Sequence, residues 1–171
     1  MDFKLRPWTI DDLSSLVKYA NNFKIAKNLT DKFPFPYTEA HGKGFIEFAL
    51  KDNPLRVMAI DIDGVASGGI GIHPQEDIQR KNAELGYWLA EPYWGNGIIS
   101  KAIPFMLRYG FENWDIDRIF ARPFESNFAS QRVLEKTGFK KEARLEKTLF
   151  KNNEYLDEII YGIRRNDFIK L

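Results

Sequence analysis

Gly95 and Gly97 bracket an asparagine between a strand-like run and a helix-like one, a placement suited to holding an anion. The segment reads Glu84-Leu85-Gly86-Tyr87-Trp88-Leu89-Ala90-Glu91-Pro92-Tyr93-Trp94-Gly95-Asn96-Gly97-Ile98-Ile99-Ser100-Lys101-Ala102. The first N–H groups of a helix have no acceptor inside it, and they converge with the positive end of its dipole. Glycine permits unusual torsions and the close approach of a phosphate, and Ser100 adds a hydroxyl donor. Neither the G-x-x-x-x-G-K-[ST] of a Walker A loop nor the third glycine of a G-x-G-x-x-G fingerprint is present. Taken by itself, Gly-Asn-Gly before a helix equally forms a simple turn.

Other polar candidates are few. Glu84 opens the strand that leads into this loop; as a purely structural group it would sit exposed and pair with a lysine such as Lys81. Asn127 or Ser126 is placed to cap a later helix, with Ser130 in its first turn. Asp157 and Tyr161 share a strand face as structural or acceptor-side groups. Tyr87, Trp88, Tyr93 and Trp94 either pack or line an acceptor. His41 and His73 have no motif around them and are expected at the surface or in loops.

Composition narrows the chemistry. Zero cysteines among 171 residues exclude disulfides, cysteine-ligated zinc, iron–sulfur clusters and a cysteine nucleophile. With two histidines, a metal site would rest mainly on carboxylates, and no metal is expected. Lys+Arg 25 against Asp+Glu 24 leaves a net charge of +1, which disfavours a nucleic-acid partner held by broad phosphate neutralisation. No apolar run is long enough to span a bilayer, so no membrane partner is expected. Met1-Asp2-Phe3-Lys4-Leu5-Arg6 carries charges where a signal peptide needs an apolar stretch, so a cytoplasmic location is expected.

The elements that must position these residues follow from periodicity and punctuation. Strands are expected at Phe3–Pro7, Leu55–Ile60, Val65–Ile72, Glu84–Ala90, Arg118–Arg122, Phe139–Phe150 and Tyr155–Ile163. Asp61-Ile62-Asp63-Gly64 forms a hairpin turn, Pro74–Asn82 a polar loop, and Lys151-Asn152-Asn153-Glu154 a final turn. Helices are expected from Thr9 to Tyr19, over Asn21–Leu29, from Thr38 through Leu50, over Gly95–Asn113, and from Asn127 or Ser126 to Thr137-Gly138, a left-handed stop. Ile99, Ala102, Ile103, Met106 and Tyr109 should share one side of the fourth helix. Pro104 should bend it or loosen one bond. With no repeat or long linker, residues 1–171 read as one α/β (α+β) domain: a mixed, mostly antiparallel sheet with helices on both faces.

Tyr93-Trp94-Gly95-Asn96-Gly97-Ile98-Ile99-Ser100-Lys101-Ala102 resembles the acetyl-CoA pyrophosphate loop of the GNAT superfamily of N-acetyltransferases, in the context of its RimJ/RimL-like branch. Asn127-Phe128-Ala129-Ser130-Gln131-Arg132-Val133-Leu134-Glu135-Lys136-Thr137-Gly138-Phe139 is similar to that family's N-x-x-S-x-x-x-L-x-K-x-G-F segment. Tyr155-x-Asp157-x-x-x-Tyr161-Gly162 is a weaker match. The resemblance implies the GNAT fold, with about seven strands, and an acetyl-CoA co-substrate. Trp94, Gly95, Asn96, Gly97, Ile98, Ile99 and Ser100 would then hold the pyrophosphate. Leu89 and Ala90 would offer backbone groups to pantetheine, and Asn127 and Ser130 would face the same arm.

By the same resemblance Glu84 is the candidate base, acting directly or through water, and Ser130 or bound water remains to serve the thiolate. The tyrosine acid of many family members is replaced here by Leu134. Trp94 stands where the family has Arg or Gln, which removes phosphate donors. Ile99 stands where it has Gly or Ala, and is accommodated if it points into the core. The implied reaction is direct acetyl transfer to a primary amine acceptor, a protein or peptide N-terminus. A small amine (polyamine, amino sugar or antibiotic) and a non-catalytic CoA sensor are the alternatives. The family also contains homodimers.

Overall fold

In the computed structural model, which describes residues 1–169, the chain forms a seven-stranded sheet in the order β1-β2-β3-β4-β5-β7-β6. Its strands are β1 Lys4–Arg6, β2 Val57–Ile62, β3 Val65–Pro74, β4 Asn82–Leu89, β5 Arg118–Ala121, β6 Lys140–Lys151 and β7 Glu154–Arg164. The helices are α1 Leu13–Ala20, α2 Phe23–Ala26, α3 Glu39–Leu50, α4 Ile98–Asn113, α5 Phe128–Lys136 and α6 Arg165–Phe168. The mixed, mostly antiparallel α/β architecture expected from the sequence is the one observed: β4 and β5 run parallel, whereas β1–β2, β2–β3, β5–β7 and β6–β7 are antiparallel. The last two residues of the domain expected over 1–171 lie outside the described residues. Two compact units divide the chain, Met1–Gly71 with Tyr87–Ala102 and Ile72–Gly86 with Ile103–Leu171.

The first unit is tied by Arg6. Its guanidinium donates to both oxygens of Asp12 at 2.7 Å and to Asp61 at 2.6 Å, joining β1 to the 3-10 turn Ile10–Asp12 and to β2. Burial alone would raise the Asp12 carboxyl, but Arg6 and Thr9 hold it below its ordinary value. β2 and β3 meet at a two-residue turn, Asp63 (φ 52°) and Gly64 (φ 85°). Two left-handed residues suit a hairpin's twist, and the Gly64 N–H donates to Asp61 Oδ1 at 2.8 Å. Trp8, Leu16, Ala20, Ile46, Ala49 and Trp88 fill the core. Gly68 and Gly69 make room for β4: a Cβ on Gly68 would lie 2.6 Å from the Trp88 carbonyl, and one on Gly69 2.9 Å from the Trp88 indole nitrogen. The indole N–H groups of Trp8 and Trp88 are buried without an acceptor.

The second unit is built on β5 and the β6–β7 hairpin, whose tip is Asn152 (φ 52°) and Asn153 (φ 63°). The α5 helix ends as its sequence requires: Gly138 has φ 91°, and the Gly138 and Phe139 N–H groups donate to Glu135 and Leu134 carbonyls, each at 3.1 Å.

Several boundaries differ from the sequence reading. The α4 helix opens at Ile98, because Gly95 (φ 78°) and Gly97 (φ 72°) are left-handed and cannot be helical. Its buried side holds Ile98, Ala102, Ile103, Met106 and Leu107, so Ile98 and not Ile99 enters the core. Pro104 lies inside an unbroken helix. The expected Asn21–Leu29 helix shrinks to α2, and His73 falls within β3 rather than in a loop.

Candidate active site

The glycine loop is held open by its own chain. β4 ends at Leu89, a 3-10 turn follows over Glu91–Tyr93, and α4 begins at Ile98. A Cβ placed on Gly95 or on Gly97 would meet nothing within 4 Å, so torsion and not packing selects glycine there. Trp94, Gly95, Asn96 and Gly97 are exposed, Ser100 and Ile99 are half-buried, and buried Ile98 anchors the helix start. Asn96 Nδ2 donates to the Tyr93 and Trp94 carbonyls at 3.1 and 3.2 Å, so this side chain shapes the loop.

Upstream, Trp94 turns its indole back, and Nε1 donates to the Leu89 carbonyl at 2.7 Å. Ala90 is engaged on both sides: its N–H donates to Ser67 at 2.8 Å, and its carbonyl accepts from Tyr93 at 3.0 Å. The two residues expected to offer backbone groups to pantetheine therefore spend three of those groups inside the fold. Glu91 accepts from Asn22 Nδ2 at 2.8 Å and pairs with Lys24, and these donors hold its carboxyl below the ordinary range. Tyr19 packs edge-on to Tyr93, with ring centroids 6.2 Å apart, and Trp88 lies against Phe33.

The loop's chemistry suits a diphosphate. It offers backbone donors at a helix start of sixteen residues, two glycines facing open space, and no carboxylate within residues 92–100. Trp94, expected among the residues that hold that anion, spends its indole donor on the Leu89 carbonyl.

In the second unit, Glu84 stands on β4 in the last register pair with β5, Glu84↔Phe120. Its partner is Arg122 and not Lys81, which pairs with Asp115 at 2.6 Å. Arg122 Nε donates to Glu84 Oε1 at 3.0 Å and Nη2 to Oε2 at 2.9 Å. Glu158, buried on β7, lies 3.5 Å from Arg122 Nη1. Asn127 caps α5, its Oδ1 accepting from the Ser130 N–H at 3.2 Å, and both residues are half-buried. Leu134 is buried.

Tyr161 is also buried and donates its hydroxyl to Glu135 Oε1 at 2.7 Å; burial, and then Glu135, push this phenol up to about 12. Asp157 accepts from Arg144 at 2.8 Å and from the Lys147 N–H at 2.9 Å, a structural role that fixes the bulged strand β6. Phe139 is core. Thr38 caps α3, and His41 in the first turn completes the capping box, its Nδ1 accepting from the Thr38 N–H at 3.1 Å. Among the described residues no group of three or more His, Cys, Asp or Glu could hold a metal ion, and no helix is long and apolar enough to cross a membrane.

Arg122 is the residue that sequence reasoning missed. Strand alternation places it on the face of Phe120, two positions on, and a parallel pairing with Glu84 would have exposed the match.

Comparison with known proteins agrees with the fold. Residues 2–140 match the family described as acetyltransferase (GNAT) domain. A prophage-derived uncharacterized N-acetyltransferase of Bacillus subtilis, YokL, is 31% identical over 147 residues, covering 85% of this chain and 81% of its own. The ribosomal-protein-serine acetyltransferase of Escherichia coli is 33% identical over 82 residues, 48% of this chain and 46% of that one. A GNAT-family acetyltransferase from Bacillus anthracis superposes with a TM-score of 0.82 at 24% identity, over 97% of this chain and 96% of its own. A spermidine N-acetyltransferase from Vibrio cholerae, solved with CoA and spermine, gives 0.81 at 21% identity over 98% of both chains.

Proposed function

Because the chain belongs to the GNAT acetyltransferase family, we propose that it moves the acetyl group of acetyl-CoA directly onto the amino terminus of a protein or peptide. The observation that carries this reading is the loop at residues 94–100, two left-handed glycines feeding a helix start. The whole chain is taken as one such domain, supported by the family match over residues 2–140.

In this reading the backbone N–H groups of Gly95 through Ser100 bind the pyrophosphate, with buried Ile98 fixing the helix start. Acetyl-CoA supplies the activated acyl carbon as a thioester. Glu84 takes up, directly or through a water, the proton that the amine loses as the C–N bond forms. Ser130 Oγ hydrogen-bonds to the sulfur as the C–S bond breaks. Asn127 keeps its cap and offers its side-chain amide to the pantetheine arm. Tyr161 is buried and commits its hydroxyl proton to Glu135, and burial keeps the phenol protonated near neutrality.

An N-terminal amine has a pKa of about 7.7–8.0, against about 10.4 for a lysine-type amine. A carboxylate base therefore faces a smaller task with the first, near neutral pH. The similarity to a ribosomal-protein-serine acetyltransferase supports a peptide acceptor.

The test is turnover, read as thiol release from acetyl-CoA. Hexapeptides starting with Ser, Ala, Thr and Met are compared with spermidine and glucosamine. Transfer to peptides but not to the small amines is expected. Transfer only to spermidine or glucosamine overturns the peptide reading. Thermal stabilisation by CoA without turnover on the whole panel points to a CoA-binding sensor instead.

A further inference from the structure

We propose that Arg122 is a positioning residue for this transfer, holding the Glu84 carboxylate in the one orientation in which it receives the acceptor's proton. The inference rests on the assignment of Glu84 as base.

The geometry follows from the parallel ladder between β4 and β5. Asn82, Ala83 and Glu84 pair with Arg118, Ile119 and Phe120. Strand alternation then places Arg118, Phe120 and Arg122 on one face of the β5 segment. Both arginines lie over the Phe120 ring, Arg118 at 4.8 Å and Arg122 at 5.9 Å from its centre. Their partners differ. Arg118 is bound to Asn82 at 2.9 Å and to Glu142, a carboxylate folded over Gly162. Arg122 points the other way along the strand and grips Glu84.

That grip is bidentate, at 3.0 and 2.9 Å, and a planar fork on both carboxylate oxygens stops rotation of the group. Each oxygen keeps a further lone pair for a water or an incoming amine. The fork is itself braced: Glu158 approaches Nη1 at 3.5 Å, from the edge that Glu84 does not use. Glu84, Arg122 and Glu158 together carry a net charge of −1, which admits a cationic ammonium to the group. The side chains of Arg122 and Glu84 are 43% and 28% exposed. A ligand can therefore reach the pair, and so solvent-screened a pair contributes little to folding. Lysine, a point charge without the fork, would supply the charge but not the orientation.

The experiment measures acetyl transfer to a serine-started hexapeptide at saturating acetyl-CoA, in the wild-type and Glu84→Gln backgrounds. In wild type, Arg122→Ala should lower kcat about 10- to 100-fold, the scale of a misplaced catalytic group. The dissociation constant of CoA and the melting temperature should hardly move. Added guanidinium ion should restore part of the lost rate, and Arg122→Lys should restore less. In the Glu84→Gln background the same Arg122→Ala change should cost less than about twofold, because nothing remains to be oriented.

An unchanged kcat in Arg122→Ala overturns the inference, and so does an equal loss in both backgrounds. If Glu84→Gln alone leaves kcat unchanged, the base assignment has failed and the inference falls with it. If wild type transfers to no peptide, the proposed function has failed first.

Discussion

Residues 94–100 present backbone, whereas Glu84 and Arg122 present side chains, and the two regions are held in different ways. The loop depends on two torsions, φ 78° at Gly95 and φ 72° at Gly97, and on an asparagine that bonds its own neighbours. Its polar donors belong to the peptide chain, so residue type enters through the torsions at Gly95 and Gly97 and through the Asn96 side chain that shapes the turn. The Glu84–Arg122 pair depends on which residue of β4 faces which residue of β5. A one-residue slip would turn one partner to the other face. Backbone sites are thus specified locally, by torsion, and tolerate side-chain change only where the torsion is one that any residue adopts. Side-chain sites are specified by register and tolerate none at the reacting atoms.

Four changes would break or sharpen this contrast. Glu84→Gln should slow acetyl transfer roughly 100- to 10,000-fold, the usual contribution of a general base, with CoA affinity unchanged by calorimetry. An equal loss of affinity would take the role of base from Glu84 and leave it one in holding the cofactor. Gly97→Val places a β-branched residue where φ is positive and costs about 1–3 kcal/mol in strain. CoA binding should weaken roughly 5- to 150-fold, and unchanged binding would remove the loop from the site.

Acid should test the Arg6–Asp12 tie. The Asp12 carboxyl is held low in the fold, so its contribution is complete above the unfolded value of about 3.9 and drains away as pH falls through the folded one. Melting temperatures from pH 7 to pH 3 should fall more steeply for wild type than for Asp12→Asn. Parallel curves would contradict the assignment. Asn127→Ala removes a cap worth about 1 kcal/mol, and should lower the melting temperature by roughly 2–4 °C. A much larger loss of transfer rate than of stability would give Asn127 a part in the site as well.

Much of this was legible in the residues. Asp63-Gly64 and Thr137-Gly138 mark their turn and helix stop because only certain residues accept positive φ at low cost. The loop was visible because a glycine pair before an apolar helix is a local pattern. What escaped notice depended on distant neighbours. Lys81 is nearer to Glu84 in the chain than Arg122 is, yet the parallel ladder brings Arg122 to it and leaves Lys81 to Asp115. The start of α4 was read three residues early because periodicity does not register the two left-handed glycines. Ala102, Ile103 and Met106 face the core as expected, whereas Ile98 and Leu107 take the places expected for Ile99 and Tyr109. The Trp94 latch onto Leu89 has no sequence signal at all.

The tryptophans differ in a way that makes the chain its own optical gauge. The indole groups of Trp8 and Trp88 are dry and unpaired, whereas Trp94 bonds to a carbonyl beside the glycine loop with its ring exposed to water. A shielded indole emits at shorter wavelength than a wet one. With the half-buried fourth indole removed as Trp114→Phe, fluorescence at the red edge should therefore follow events at the loop, while the blue edge follows unfolding of the core.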